Sequence, residues 1–180
     1  ALYHQVDFTD LKPATRYLYR VSSGTHWSEW IQFQTASSKP EPFVFVYFGD
    51  AQNQIKSHWS RVVRQAFADA SRAAFFLHAG DLVNSGASDA EWGEWYYSNG
   101  FIPRSIPVVA APGNHEMVNV KVKTDEKDET DDDKTKTVRQ VTPHWFATFA
   151  FPENGPKGLK ETCYYIDYQG ARIVVLNSNQ

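Results

Sequence analysis

The chain has 180 residues, 42% of them hydrophobic and 22% charged, which is enough to bury a core and excludes a wholly disordered polymer. A formal net charge of −3 offers no basic footprint for nucleic acid or anionic lipid, and no apolar run approaches the roughly 18 residues of a membrane span. The single cysteine, Cys163, excludes an internal disulfide and a Cys-based zinc cluster, while a 15% aromatic share favours strand packing over a plain helical bundle.

Residues 1–36 read as strand material: an alternating stretch around Tyr3 to Phe8, then Tyr17 to Val21, then Trp27 to Phe33, with turn residues between them. The first residues have neither an initiator Met nor a signal-peptide pattern, so the chain is expected to begin inside a longer protein. Within this part, Leu11 to Tyr17 resembles the tyrosine corner of a fibronectin type III-like sandwich, where the phenol bonds back to upstream backbone. Such a sandwich needs about seven strands. About three are legible, so the piece is expected to be truncated or to borrow strands elsewhere.

Residues 37–42 have linker composition, because Ser, Pro and charge build no core and the prolines stiffen the chain. A second domain is expected over 43–180. Phe43 to Phe48 is a continuous apolar run suited to a strand buried on both faces, and it leads through Gly49-Asp50 into a helical pattern from about Ser57 to Ala70. Ala74 to Ala79 repeats the unit and ends in Gly80-Asp81, with a Trp-rich helical stretch near Asp89 to Tyr97. Ile106 to Ala111 is the third strand and runs into Pro112-Gly113-Asn114-His115-Glu116. Strand, polar turn and helix in repetition indicate an α/β layered domain.

From about Val118 to Arg139 the rhythm breaks in a charged stretch, Lys121 to Lys134, with no apolar face. It is expected to be a solvated, mobile loop, and Asp131, Asp132 and Asp133 lack the spacing of an EF-hand. Tyr164 to Tyr168 and Ala171 to Leu176 then form two strands joined at Gln169-Gly170, and Cys163 before them is expected to be a buried small hydrophobe.

The chemistry concentrates at the ends of the three apolar strands. Gly49-Asp50-Ala51-Gln52, Gly80-Asp81-Leu82-Val83-Asn84 and Gly113-Asn114-His115-Glu116 recur at intervals of about thirty residues, one strand-helix unit each. Ligands bind at the C-terminal ends of strands in open α/β sheets, because the loops there converge. Glycine before the acid permits a sharp turn, and carboxylate and amide oxygens suit hard or borderline divalent cations.

In these motifs, their order and their spacing, the sequence resembles the calcineurin-like metallophosphoesterase superfamily, and within it the purple acid phosphatase-like branch with a fibronectin-like N-terminal domain. The resemblance implies the N-terminal half of a layered metallophosphoesterase β-sandwich flanked by helices, over 43–180. It also implies that 1–36 are the last strands of the accessory domain. It implies a dinuclear centre of Fe, Zn, Mn or Mg ions in which Asp50 binds the first metal, Asp81 bridges both, Asn114 binds the second, and His115 faces the substrate. The implied activity is hydrolysis of small phosphoesters, monoesters foremost, by metal-bound hydroxide, in a protein secreted or otherwise outside the cytoplasm.

Two departures sharpen that expectation. Purple acid phosphatases carry a tyrosine ligand three residues after the bridging aspartate, where this chain has Asn84, so a purple iron(III) centre is not expected. Related phosphoesterases often carry histidine two residues after the first aspartate, where this chain has Gln52. Gln52 and Asn84 are expected to position ligands or substrate, with direct ligation the alternative. The family's remaining histidine ligands are expected beyond Gln180. His4, His26, His58 and His78 are expected to be structural, and His144 to pack beside Trp145. Cys163 has no partner motif, and no Gly-x-Ser-x-Gly elbow is present. The rival readings are a phosphodiesterase or nucleotide pyrophosphatase on the same scaffold, and a non-catalytic extracellular binding module.

Overall fold

The structure is a computed structural model and describes residues 3–123 and 135–179. The charged run from 124 to 134, with Asp131, Asp132 and Asp133, lies outside the described residues.

The chain opens with a small antiparallel region. Strand β1 (Arg16–Tyr19) pairs with β4 (Ile31–Gln34), and β2 (Ser22–Ser23) with β3 (His26–Trp27) around Gly24, whose φ of 60° suits the tight turn. The Lys12 N–H donates to the Tyr17 hydroxyl at 2.8 Å, the bond that a tyrosine corner makes. Tyr3 to Phe8, expected as a strand, joins no sheet. Alternation needs a neighbour to pair with, and Phe8 instead docks by its ring, 6.0 Å from Tyr19 and 5.9 Å from Phe33.

Three parallel strands form the central sheet in the order β5 (Val46–Phe48), β6 (Phe76–His78), β7 (Val108–Ala110). A π-helical turn (Ile55–Trp59) running into α1 (Ser60–Asp69) connects the first two strands. Helices α2 (Asp89–Asn99) and α3 (Ile102–Ser105) connect the next pair. Helix α2 begins where the sequence places a cap: Ser88 accepts from the Glu91 N–H at 3.3 Å, Asp89 and Glu91 sit in the positive first turn, and Gly100 closes the helix at φ 54°. One expectation fails here. Strand β5 is not buried on both faces, since Tyr47 is 64% exposed while Phe48 on the other face packs in the cluster under the helices.

Residues expected to form a loop around the charged run instead form a hairpin. Strand β8 (Met117–Lys123) pairs with β9 (Thr135–Val141) from Met117↔Val141 to Lys123↔Thr135. Val118, Val120 and Val122 alternate with polar residues, and this period-2 pattern is what the neighbouring charge obscures. Helix α4 (Pro143–Thr148) follows, capped by Thr142. Strands β10 (Tyr164–Tyr168) and β11 (Ala171–Val175) turn at Gln169-Gly170, both at positive φ as a type I′ turn requires.

Apolar residues on the two faces of the sheet enter different clusters. Phe48, Phe76 and Ala110 pack with Trp59, Val63, Leu82, Trp92 and Trp95 under the helices. Phe75 and Val109 pack with Tyr164 and Val175 of the β10–β11 hairpin. The buried Tyr164 hydroxyl donates to the Ala110 carbonyl at 2.7 Å, and burial pushes its phenol well above the usual range. Cys163 is buried, as expected, and its Sγ accepts from the Asn177 N–H.

Candidate metal centre

The three polar clusters emerge side by side from the C-terminal ends of β5, β6 and β7, because those strands are parallel with Phe48, His78 and Ala110 in register. Neighbouring strands lie about 4.8 Å apart, so the loops touch. The Gln52 N–H donates to the Asp81 carbonyl at 3.0 Å, tying the first loop to the second. The His115 N–H donates to Asp81 Oδ1 at 2.9 Å, tying the second to the third. Gly80, at φ 98°, runs so close to Gly113 that a Cβ on Gly80 would stand 2.6 Å from the Gly113 Cα. Only glycine fits there.

Glu116 is the residue whose part the sequence motif did not reveal. Its carboxylate is fully buried and accepts backbone N–H bonds from Asp81 at 2.9 Å, Leu82 at 2.8 Å, Val83 at 3.4 Å and Gly113 at 2.7 Å. Burial pushes this carboxyl above its usual range, and the backbone N–H groups pull in the opposite sense. Its effect is to hold Asp81 and Gly113 against one another, with Asp81 in a left-handed conformation at φ 53° that a non-glycine residue adopts only when held there. The sequence offered one signal, a third acid directly after Asn114-His115, but no pattern said which way it would point.

The residues expected to touch a ligand lie around this junction. Asp50 is exposed, at φ 43°, and receives a long 3.5 Å bond from Gln52 Nε2. Asp81 is half-buried, with one carboxylate oxygen taken by His115 N–H. The Asn114 side chain is exposed while its carbonyl accepts from Met117 N–H and from Arg139 Nη2. His115 Nδ1 lies 2.6 Å from the Asn84 carbonyl, which can only accept, so Nδ1 carries the proton and Nε2 is the nitrogen left for a ligand. Asn84 thus acts through its backbone, and it borders a depression of about 300 Å³ shared with Asn53, Gln54, Glu91 and Glu94.

Asp50 and Gln52 open onto a separate depression of about 360 Å³ walled by Tyr47, His58, Trp59 and Val62. His58, expected to be structural, therefore borders the site, with Nδ1 3.0 Å from Ser57 Oγ. His144, expected to pack beside Trp145, stacks parallel to Trp92 and lies 3.2 Å from both Asp89 Oδ1 and Thr142 Oγ1. His78 is buried among Phe48, Trp59 and Trp95, and burial holds its imidazole down at about 4. A cavity of about 460 Å³ lies at the opposite, N-terminal end of the strands, between Phe33, Phe43, Ala74 and Pro107, and none of the residues expected to touch a ligand lines it.

No three His, Cys, Asp or Glu side chains gather to hold an ion among the described residues. What is gathered is a set of oxygen donors: two carboxylates and nearby amides, including Gln52 Oε1, which is shielded from solvent and has no hydrogen-bond donor in reach. Those residues fit one side of a metal centre, since carboxylate and amide oxygens suit a hard or borderline cation.

A parallel sheet with polar loops at its C-terminal edge defines an α/β enzyme scaffold, and family comparison makes the class specific. The calcineurin-like phosphoesterase model matches residues 26–178, and the model of the purple acid phosphatase N-terminal domain matches residues 1–35. The chain belongs to the calcineurin-like phosphoesterase family. It is 32% identical over 120 residues to acid phosphatase type 7 of Danio rerio, an alignment that covers 63% of this chain and 26% of that protein. In fold it is similar to the purple acid phosphatase PPD1 from yellow lupin (Lupinus luteus) seeds, with a TM-score of 0.64 and 19% identity over 88% of this chain and 29% of that one. The chain thus spans little more than a quarter of either relative.

Proposed function

We propose that the chain supplies one side of a dinuclear metal site in a longer phosphoester hydrolase acting on small phosphomonoesters. The supporting observation is the junction at Asp81. One carboxylate oxygen is fixed by His115 N–H, the backbone is fixed by Glu116, and the other oxygen takes no hydrogen bond among the described residues. In this reading Asp50 holds the first cation, Asp81 bridges, and Asn114 holds the second through its amide oxygen. Cations held there would supply an acidified water and neutralise phosphoryl oxygens. His115, anchored through Nδ1, presents Nε2 to hydrogen-bond a phosphoryl oxygen or pass a proton to the leaving alkoxide. Glu116 keeps the loops that carry these groups in place.

The same reading divides the chain at 37–42, with the strands before it closing a fibronectin-like sandwich. The central sheet and the β10–β11 hairpin become two layers of the phosphoesterase sandwich, a view supported by the cluster of Phe75, Val109, Tyr164 and Val175 between them. It includes a location outside the cytoplasm, which rests on the family resemblance.

The test is turnover by the full-length protein on an aryl monophosphate, an aryl diester and a nucleotide, with and without chelator. Chelator-sensitive turnover fastest on the monoester is expected, and Asp81→Asn should lower kcat by at least about 10³-fold with the fold intact. Preference for the diester or the nucleotide would move the assignment to those activities. Absence of metal-dependent turnover on all three would favour a binding module.

A further inference from the structure

The direction of His115 Nε2 is set by the bond from the other ring nitrogen, Nδ1–H to the Asn84 carbonyl at 2.6 Å, so the ring is only as fixed as that carbonyl. Asn84 is exposed and lies in the turn between β6 and α2. Two residues on, Gly86 is buried and packs so closely that a Cβ on it would stand 2.8 Å from the His115 carbonyl oxygen. The Gly86 N–H donates to that oxygen at 2.8 Å. The turn therefore grips His115 twice, by its ring at residue 84 and by its backbone at residue 86. What fixes the turn is the Gly86 carbonyl. Trp92 Nε1 donates to it at 3.0 Å, but Trp92 belongs to the helix that the turn leads into. Thr142 reaches the same carbonyl from the end of β9 and is fully buried. Its Oγ1 lies 2.7 Å from an oxygen that can only accept, so the hydroxyl donates there. The Thr142 N–H donates in turn to the Glu116 carbonyl at 2.8 Å. From Gly86 to His115, along the chain to Glu116, across to Thr142 and back to Gly86 runs a closed circuit of three hydrogen bonds. The Thr142 hydroxyl is its only side-chain member.

We propose that Thr142 is a positioning residue for His115: its hydroxyl holds the 84–86 turn, and through it the Asn84 carbonyl that keeps the proton on Nδ1 and presents Nε2 to the substrate. The inference rests on the part assigned to His115 above and goes beyond it by giving the β8–β9 hairpin a share in the site. Thr142 touches no reacting group and acts only through the turn.

The test uses the full-length protein. Thr142→Val keeps the shape of the side chain and removes the donor, whereas Thr142→Ser keeps the donor. On an aryl monophosphate, Thr142→Val should lower kcat by about tenfold or more with KM within about twofold of wild type, and Thr142→Ser should restore most of the loss. In a His115→Ala background Thr142→Val should cost no further kcat, because the group it positions is gone. Nitrogen NMR of the histidine side chains reads the same link without turnover. The neutral wild-type His115 ring should carry its proton on Nδ1, and Thr142→Val should bring in the Nε2–H tautomer. If valine prevents folding, Thr142→Cys, a weaker donor, takes its place with the same expected directions. Wild-type kcat in Thr142→Val, an equal loss in the His115→Ala background, or an unchanged tautomer would overturn the inference while leaving the part of His115 standing. Turnover unaffected by His115→Ala would overturn that part and this inference with it. No metal-dependent turnover by wild type would count against the phosphoesterase reading, and the tautomer would still decide whether Thr142 holds the ring.

Discussion

Glu116 shows how much of a site can depend on a residue that touches no substrate. Replacing it with Ala would leave the N–H groups of Asp81, Leu82, Val83 and Gly113 without their shared acceptor. The expected cost is about 3–5 kcal/mol, measured by denaturant unfolding. His78 makes a second prediction, in the pH dependence of stability. Burial depresses its folded-state pKa to about 4 from an unfolded 6.5, so the unfolded chain binds the extra proton between those values. The stability involved is fully present above about pH 6.5 and is lost as pH falls toward 4, by about 3 kcal/mol in all. His78→Phe, which keeps a ring against Phe48, Trp59 and Trp95, should flatten thermal unfolding over that window. An unchanged pH profile in the variant would show that His78 is not the group responsible.

At the scale of elements, the repeated strand-turn-helix units were legible because their signals are local: a continuous apolar run, a Gly-Asp turn, and Ser88 three residues before Glu91 at the start of α2. The hairpin of β8 and β9 was not, because its two halves are separated in sequence by a charged run and each is stabilised by pairing with the other. The contact between the second and third loops was hidden for the same reason. Glycine at 80 and 113 is readable as a turn, whereas the approach of one backbone to the other is not. Gly113→Ala would push a Cβ to 2.5 Å from the Asp81 nitrogen. The expected result is a loss of about 1–3 kcal/mol in stability, seen as a lower Tm, together with weaker metal binding from a displaced Asp81.

Across the whole molecule, the antiparallel N-terminal strands are fastened to the sheet domain at a few polar points. Arg104 pairs with Glu29 and its carbonyl accepts from the Tyr19 hydroxyl at 2.9 Å, while Gln169 at the β10–β11 turn accepts from Ser37 N–H and donates to the Glu41 carbonyl. The 37–42 segment is thereby held against the β10–β11 hairpin. Arg104 and Glu29 are both more than half or about half exposed as side chains, so Arg104→Ala should change stability by no more than about 1 kcal/mol. Turnover of the full-length protein should be unchanged, since α3 leads into the N-terminal end of β7, opposite the loops that carry Asp50, Asp81 and Asn114. A marked fall in kcat would mean that this junction reaches the site.

The sequence alone was sufficient to place Asp50, Asp81, Asn114 and His115 on loops that each follow an apolar strand, because strand, turn and residue chemistry are properties of neighbours along the chain. It also showed, in Gln52 and Asn84, that two customary ligand positions carry amides. Tertiary structure decided what those residues can do. Burial of Glu116 beneath the loops, the proton on His115 Nδ1, the Asn84 carbonyl that accepts it and the unpartnered oxygen of Gln52 all depend on atoms brought together from separate strand-helix units. Hydrogen-bond partners and burial are set by proximity in space, and the linear pattern does not contain them.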